Sequence, residues 1–133
     1  GLHLESGERP ALGEVVDLGY LSDQDKHDAY AAATLFIQPS AVESFSIVLM
    51  EAWLQGTAAL VNGDCEVMRR HALQSGGGLF YHDYYEFEAG LDYLLARPDL
   101  RRELGQRGRS YVQKNFGWED VVQRFIAAVF GNL

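Results

Sequence analysis

Apolar and polar positions along this chain follow two periods, and the switches between them mark out short strands and helices. Val15-Val-Asp-Leu18, closed by Gly19, predicts a first strand. Ser22-Asp-Gln-Asp25 has the form of a capping box and opens a helix through Ala33. Leu35-Phe-Ile37 predicts a second strand, stopped by Pro39, and Ile47–Gln55 a second helix, ended by Gly56 just past its last turn. Ala58–Val61 reads as a third strand, Cys65–Leu73 as a short helix and Gly78–Tyr81 as a fourth strand. Tyr84–Ala96, Asp99–Lys114 and Trp118–Phe130 then predict three successive helices, whereas residues 1–14, polar and punctuated by Gly and Pro, predict a loop or arm.

Strand–helix alternation with short connections implies right-handed βαβ units and a parallel sheet. The strands are brief and apolar on both faces, as helices covering both sides require. The expected fold is therefore α/β: one domain over residues 1–133, with about four parallel strands, flanking helices and a helical C-terminal extension. The last helix carries the cleanest pattern, with Trp118, Val121, Val122, Phe125, Ile126, Val129 and Phe130 forming one apolar stripe. Such a stripe calls for a cover, and four short strands offer little sheet to provide it. Self-association through Trp118, Val122, Phe125 and Val129 is one way to supply that cover.

Composition narrows the function. The chain has 133 residues and a formal charge of −8, with 11 basic residues in all. That charge argues against nucleic acid, whose affinity comes from Lys and Arg on phosphates, and against docking on anionic lipid. No apolar run approaches the ~20 residues needed to span a bilayer. The N-terminal stretch has no signal-peptide core, and the single Cys65 forms no intrachain disulfide. A cytoplasmic protein is the expectation.

The candidate chemistry concentrates in Pro39–Glu51. Glu43 falls in the loop behind the second strand, and Glu51 lies within the apolar stretches Ile47–Met50 and Ala52–Leu54. An acid near a helix start, or on a helix body, is commonly only a favourable charge on a solvated face. Against that, Glu51 is a charge in apolar company. The small residues Ser44 and Ser46 also leave backbone N–H groups at the helix entrance open to an anion. Asp23 and Asp25 have the spacing of a metal-binding acid pair, but helix capping accounts for both. The four histidines show no ligand spacing with each other or with Cys65, so neither a metal nor a cofactor is expected.

In order, VVDLGYLSDQD, YAAATLFIQPS, ESFSIVLMEAWLQGTAALV and NFGWEDV resemble the family-four (group 1) retaining glycosyltransferases of GT-B fold, in their C-terminal, donor-binding domain. The resemblance covers about Val15 to Phe130 and includes the family's E-x7-E signature at Glu43 and Glu51. It implies a partial Rossmann-like sheet with a nucleotide-diphosphate-sugar at the carboxyl ends of the strands, in keeping with the rule for open α/β sheets. By the same resemblance Glu43 is the catalytic-site acid that holds the donor sugar's hydroxyls. Phe45, Ser46, Ile47 and Val48 present backbone N–H groups to sugar and diphosphate, Glu51 accepts from the ribose hydroxyls, and Gly19 and Tyr20 line the base pocket.

Ser44 and Ser46 stand where the family carries glycines. The family's N-terminal acceptor domain, and the start of the donor-binding domain with its phosphate-clamping Arg and Lys, have no counterpart in these residues. The expectation is a truncated donor-binding half of a longer enzyme, without turnover on its own. The alternative is a non-catalytic interaction module on the same fold. A phospho-receiver fits less well, because it needs an acid pair at a central strand end.

Overall fold

The computed structural model describes residues 15–44, 46–117 and 126–129. Its elements run α1 (Asp23–Ala32), β1 (Phe36–Gln38), α2 (Ile47–Leu54), β2 (Ala59–Asn62), α3 (Glu66–Ser75), β3 (Gly78–Tyr81), α4 (Tyr84–Leu95) and α5 (Pro98–Asn115). The three strands pair in parallel in the order β1-β2-β3, with Phe36 opposite Ala59 and Ala59 opposite Gly78. An α/β fold with a small parallel sheet and flanking helices is thus what the residues form.

The sheet has three described strands where four were expected. Val15–Leu18 is not in it: the segment has no regular structure, and Val15 is almost wholly exposed. A β-branched run satisfies local propensity, but a strand exists only where a neighbour completes its hydrogen bonds, and none of the described strands does so here. Asp17 Oδ1 instead accepts from the Gly19 N–H at 2.8 Å, forming a tight turn with Gly19 at φ 64°. Of the expected last helix only residues 126–129 are described; they are helical, with Ile126 and Val129 exposed. Trp118, Val122 and Phe125 lie outside the described residues.

β2 is the middle of the molecule. Successive side chains of a strand point to opposite faces, and β2 shows this directly. Ala59 and Val61 join Leu49, Met50, Trp53, Met68, Ala72 and Val112 in one core, while Leu60 joins Ala58, Tyr81, Leu94 and Leu104 in the other. The first core is roofed by α2, α3 and α5, the second by α4 and the start of α5.

The approach of α5 to α2 depends on two glycines. A Cβ on Gly105 would collide with the Gly56 carbonyl, and one on Gly108 with the Trp53 indole. Trp53 is completely buried and donates from Nε1 to the Gly77 carbonyl at 3.0 Å. This interlocking fixes α2 against the sheet, and α2 carries the residues of interest. α1, by contrast, buries none of its residues and is held to the body from outside.

Candidate functional site

The loops that leave the carboxyl ends of β1, β2 and β3 are tied to one another. Asn62 Nδ2 donates to the Pro39 carbonyl at 2.9 Å, and the Cys65 thiol faces the Glu43 carbonyl at 3.8 Å. Gln38 Nε2 reaches Glu43 Oε1 at 3.4 Å, and His82 Nδ1 lies 2.8 Å from Asp64 Oδ1. Arg69 donates to the Gly63 carbonyl, which brings a guanidinium to the loop after β2. Glu43 therefore sits half-buried at the mouth of the sheet, held by its own strand's last residue and by the next loop.

α2 begins at the same mouth. Its N-cap, Ser46, lies at φ 59° and ψ 42°, a left-handed backbone that costs a residue bearing a Cβ roughly 1–2 kcal/mol. The side chain makes no capping hydrogen bond. Ser46 is buried to 1% exposure, and its Oγ has no hydrogen-bond partner. The N–H groups of the first helical turn are without intrahelical acceptors, and no acidic side chain stands in that turn to take them.

Glu51 lies on the face of α2 turned towards α1. Leu49, Met50, Ala52 and Trp53 point into the core, which leaves Glu51 for the α1 side. Its side chain is 13% exposed, Lys26 Nζ stands 3.6 Å from its Oε2, and that oxygen accepts no hydrogen bond. Tyr30 is the third member of the group. Burial foremost, and then the Glu51 carboxylate beside it, push its phenol up to about 12. A cavity of about 250 Å³ opens beside Glu51, lined by His27, Leu54 and Gln55 as well.

The predicted residues are thus only partly gathered. Glu43, Ser46, Ile47 and Val48 share the mouth of the sheet, and Glu51 follows one turn further along α2. Gly19 and Tyr20 precede α1, and the Tyr20 ring stands fully in solvent. Phe45 lies outside the described residues. At Asp25, the N–H donates to the Ser22 hydroxyl at 3.1 Å, so Ser22 caps α1 as its sequence suggests. Among the described residues no group of three or more His, Cys, Asp or Glu is placed to hold a metal ion.

Lys26 and Tyr30 are not among the residues to which the sequence pattern points. A cation at Lys26 was visible, but its pairing with Glu51 crosses between helices and leaves no local signal.

The sequence profile described as "Glycosyl transferases group 1" matches residues 2–111. The chain belongs to the group 1 glycosyltransferases. Curated relatives include the mannosylfructose-phosphate synthase of Agrobacterium fabrum, 29% identical over 85% of this chain and 25% of its own length. The alpha-maltose-1-phosphate synthase of Mycolicibacterium smegmatis is 30% identical over 71% of this chain and 26% of its own. The D-inositol 3-phosphate glycosyltransferase of Gordonia bronchialis is 30% identical over 76% and 22%. The chain therefore spans about a quarter of the length of these relatives. No solved structure matches it significantly. Among the described residues no helix is long and apolar enough to cross a membrane.

Proposed function

We propose that this group 1 glycosyltransferase domain binds a nucleotide-diphosphate-sugar and forms the donor half of an active site that transfers a glycosyl group to an acceptor hydroxyl with retention of configuration. One observation carries the reading. Glu51 presents a carboxylate oxygen that is buried, has no hydrogen-bond donor and stands beside a cavity. A buried acceptor with an ion partner at 3.6 Å but no hydrogen-bond donor still costs free energy that an arriving donor would relieve, and a ribose offers two hydroxyl donors.

The other roles are those the family resemblance implies. Glu43, at the mouth of the sheet, accepts from hydroxyls of the donor sugar. The backbone N–H groups of Ser46, Ile47 and Val48 face the diphosphate, where the positive end of the α2 dipole favours negative charge; Phe45 is assigned the same role by the resemblance alone. Gly19 and Tyr20 border the base. In the reaction the sugar C1–O bond to the diphosphate breaks with its electron pair staying on the phosphate oxygen, while the acceptor hydroxyl forms the new bond to C1 and gives its proton to the departing diphosphate. Stabilising the charge that grows on the departing diphosphate is the main electrostatic task.

With a formal charge of −8, this chain supplies little of the positive charge a diphosphate requires. The reading therefore includes the rest of a longer enzyme, with the start of the donor domain and the acceptor domain as partner; a cytoplasmic location is proposed with it. No resident cofactor or metal is part of it. The 133 residues alone are expected to give no turnover.

Titration calorimetry with nucleotide sugars, on the full-length protein and on its Glu51→Ala variant, is the test. Affinity should fall by about 10- to 100-fold in the variant, the value of hydrogen bonds to a charged acceptor. Undiminished binding would remove the ribose role from Glu51. Absence of nucleotide-sugar binding by the parent would favour the interaction-module reading instead.

A further inference from the structure

A second cavity, of about 430 Å³, opens between the last turn of α3 and the outer face of α5. α3 begins at the mouth of the sheet and runs back along it, so this cavity lies at the amino ends of the strands, away from Glu43. Its walls are polar side chains, with Tyr111 as the one ring among them. That ring packs edge-on against Trp53 and Phe116, which holds it still. The Tyr111 hydroxyl, 2.8 Å from His71 Nδ1, donates to Gln74 Oε1 at 3.1 Å. Asn115 Nδ2 donates to the Tyr111 carbonyl at 3.0 Å. Gln74 is left with N–H groups to offer and Asn115 with a carbonyl, a donor and an acceptor fixed on two helices. The charge is fixed as well. α5 carries five basic residues against two acids, in a chain of formal charge −8. In the cavity Arg107 is paired with Glu103, whereas Lys114 has no ion partner among the described residues. The surplus is one positive charge.

We propose that this cavity is a second binding site, for a sugar monophosphate, with Lys114 and Arg107 meeting the phosphate and Gln74, Ser110 and Asn115 the sugar hydroxyls. A hydroxyl both donates and accepts, so neighbouring hydroxyls are matched by a fixed amide N–H close to a fixed carbonyl. A bare anion would leave the Asn115 carbonyl with only water to donate to it. A neutral sugar would leave the surplus cation unanswered, and a charge-assisted bond to phosphate is about twice as strong as a neutral one. The Arg107 stem reaches the cavity across Gly76, where a Cβ would stand 3.3 Å from its Cδ. The volume falls within the roughly 300–1,000 Å³ of small-molecule sites. None of its lining residues belongs to the donor site, so this inference stands apart from the donor-binding reading.

Titration calorimetry of the full-length protein with glucose 1-phosphate and fructose 6-phosphate tests this, with glucose, fructose and inorganic phosphate as controls. The preferred sugar phosphate should bind at least tenfold more tightly than either of its parts. Lys114→Glu should weaken it by about 10- to 100-fold, the value of hydrogen bonds to a charged group. Gln74→Ala should weaken it by about fivefold, the value of one neutral hydrogen bond. Both side chains are exposed, so Tm should stay within about 2 °C of the parent. Nucleotide-sugar affinity should be the same in both variants. Sugar-phosphate binding untouched by Lys114→Glu would place that ligand at another site and overturn the inference. Phosphate alone binding as tightly, or no binding by the parent protein, would overturn it equally. Each of these results leaves the donor-site reading standing.

Discussion

Lys26 Nζ stands 3.6 Å from Glu51 Oε2, near enough for attraction and too far for a hydrogen bond. That oxygen is thereby compensated in charge without accepting a hydrogen bond. Lys26 is more than a third exposed, so the pair contributes at most about 1 kcal/mol after solvent screening. Glu51→Gln is accordingly expected to stay within about 1 kcal/mol of the parent in urea unfolding. A loss of several kcal/mol would make Glu51 a structural residue rather than a ligand group.

Tyr30 gives a pH dependence. Its native pKa is raised to about 12 from an ordinary 10, so the folded state holds the phenolic proton more tightly than the unfolded chain. The resulting stability is complete below pH 10 and is lost as pH rises through 10 to 12. Ultraviolet titration of tyrosinate should show a late-titrating phenol that Tyr30→Phe removes. Glu51→Gln should bring the same phenol part of the way back, leaving the larger effect of burial. A titration unchanged in Tyr30→Phe would place that late phenol elsewhere.

The contact between α2 and α5 predicts an overpacking penalty. Gly108→Ala drives a methyl group into the Trp53 indole, and strain of that kind costs typically 1–3 kcal/mol. Because Trp53 is also bonded to the Gly77 carbonyl, it cannot move away freely. Chemical denaturation should show the midpoint falling at constant slope. A neutral result would mean that α5 shifts on α2 at little cost.

Much of this organisation is legible in the sequence. The Ser22 cap, the apolar run of α2 and the Gly78–Tyr81 strand all depend on neighbours a few residues away, and each forms where the pattern places it. Val15–Leu18 has the same local credentials and forms no strand, because pairing is decided by residues distant in sequence. The site divides in the same way. That Glu51 is a charge in apolar company can be read from its neighbours; that it faces Lys26 and Tyr30 depends on how α1 lies on α2. The left-handed turn at Ser46 is likewise invisible, since serine in the sequence suggests an ordinary cap.

The apolar stripe that the sequence pattern places over residues 118–130 predicts association. Ile126 and Val129 are exposed, and with Trp118, Val122 and Phe125 they belong to one apolar pattern of the sequence. Light scattering of the 133-residue chain should show a mass that rises with concentration, and Val129→Glu should reduce that rise. A strictly monomeric chain at all concentrations would count against the stripe as a contact surface.

α1 buries none of its residues. Its ties to the body include polar and peripheral ones: Lys26 to Glu51, the Thr57 hydroxyl donating to the Tyr30 carbonyl at 2.6 Å, and the Tyr30 ring edge-on to Phe36 at 5.8 Å. A helix held in this way opens far more often than one rooted in the core. Its amide protons should exchange with deuterium well ahead of those in α2. Since one tether ends on Glu51, a ligand taking up that carboxylate should alter the exchange rate of α1, turning a loosely moored helix into a gauge of whether the site is filled.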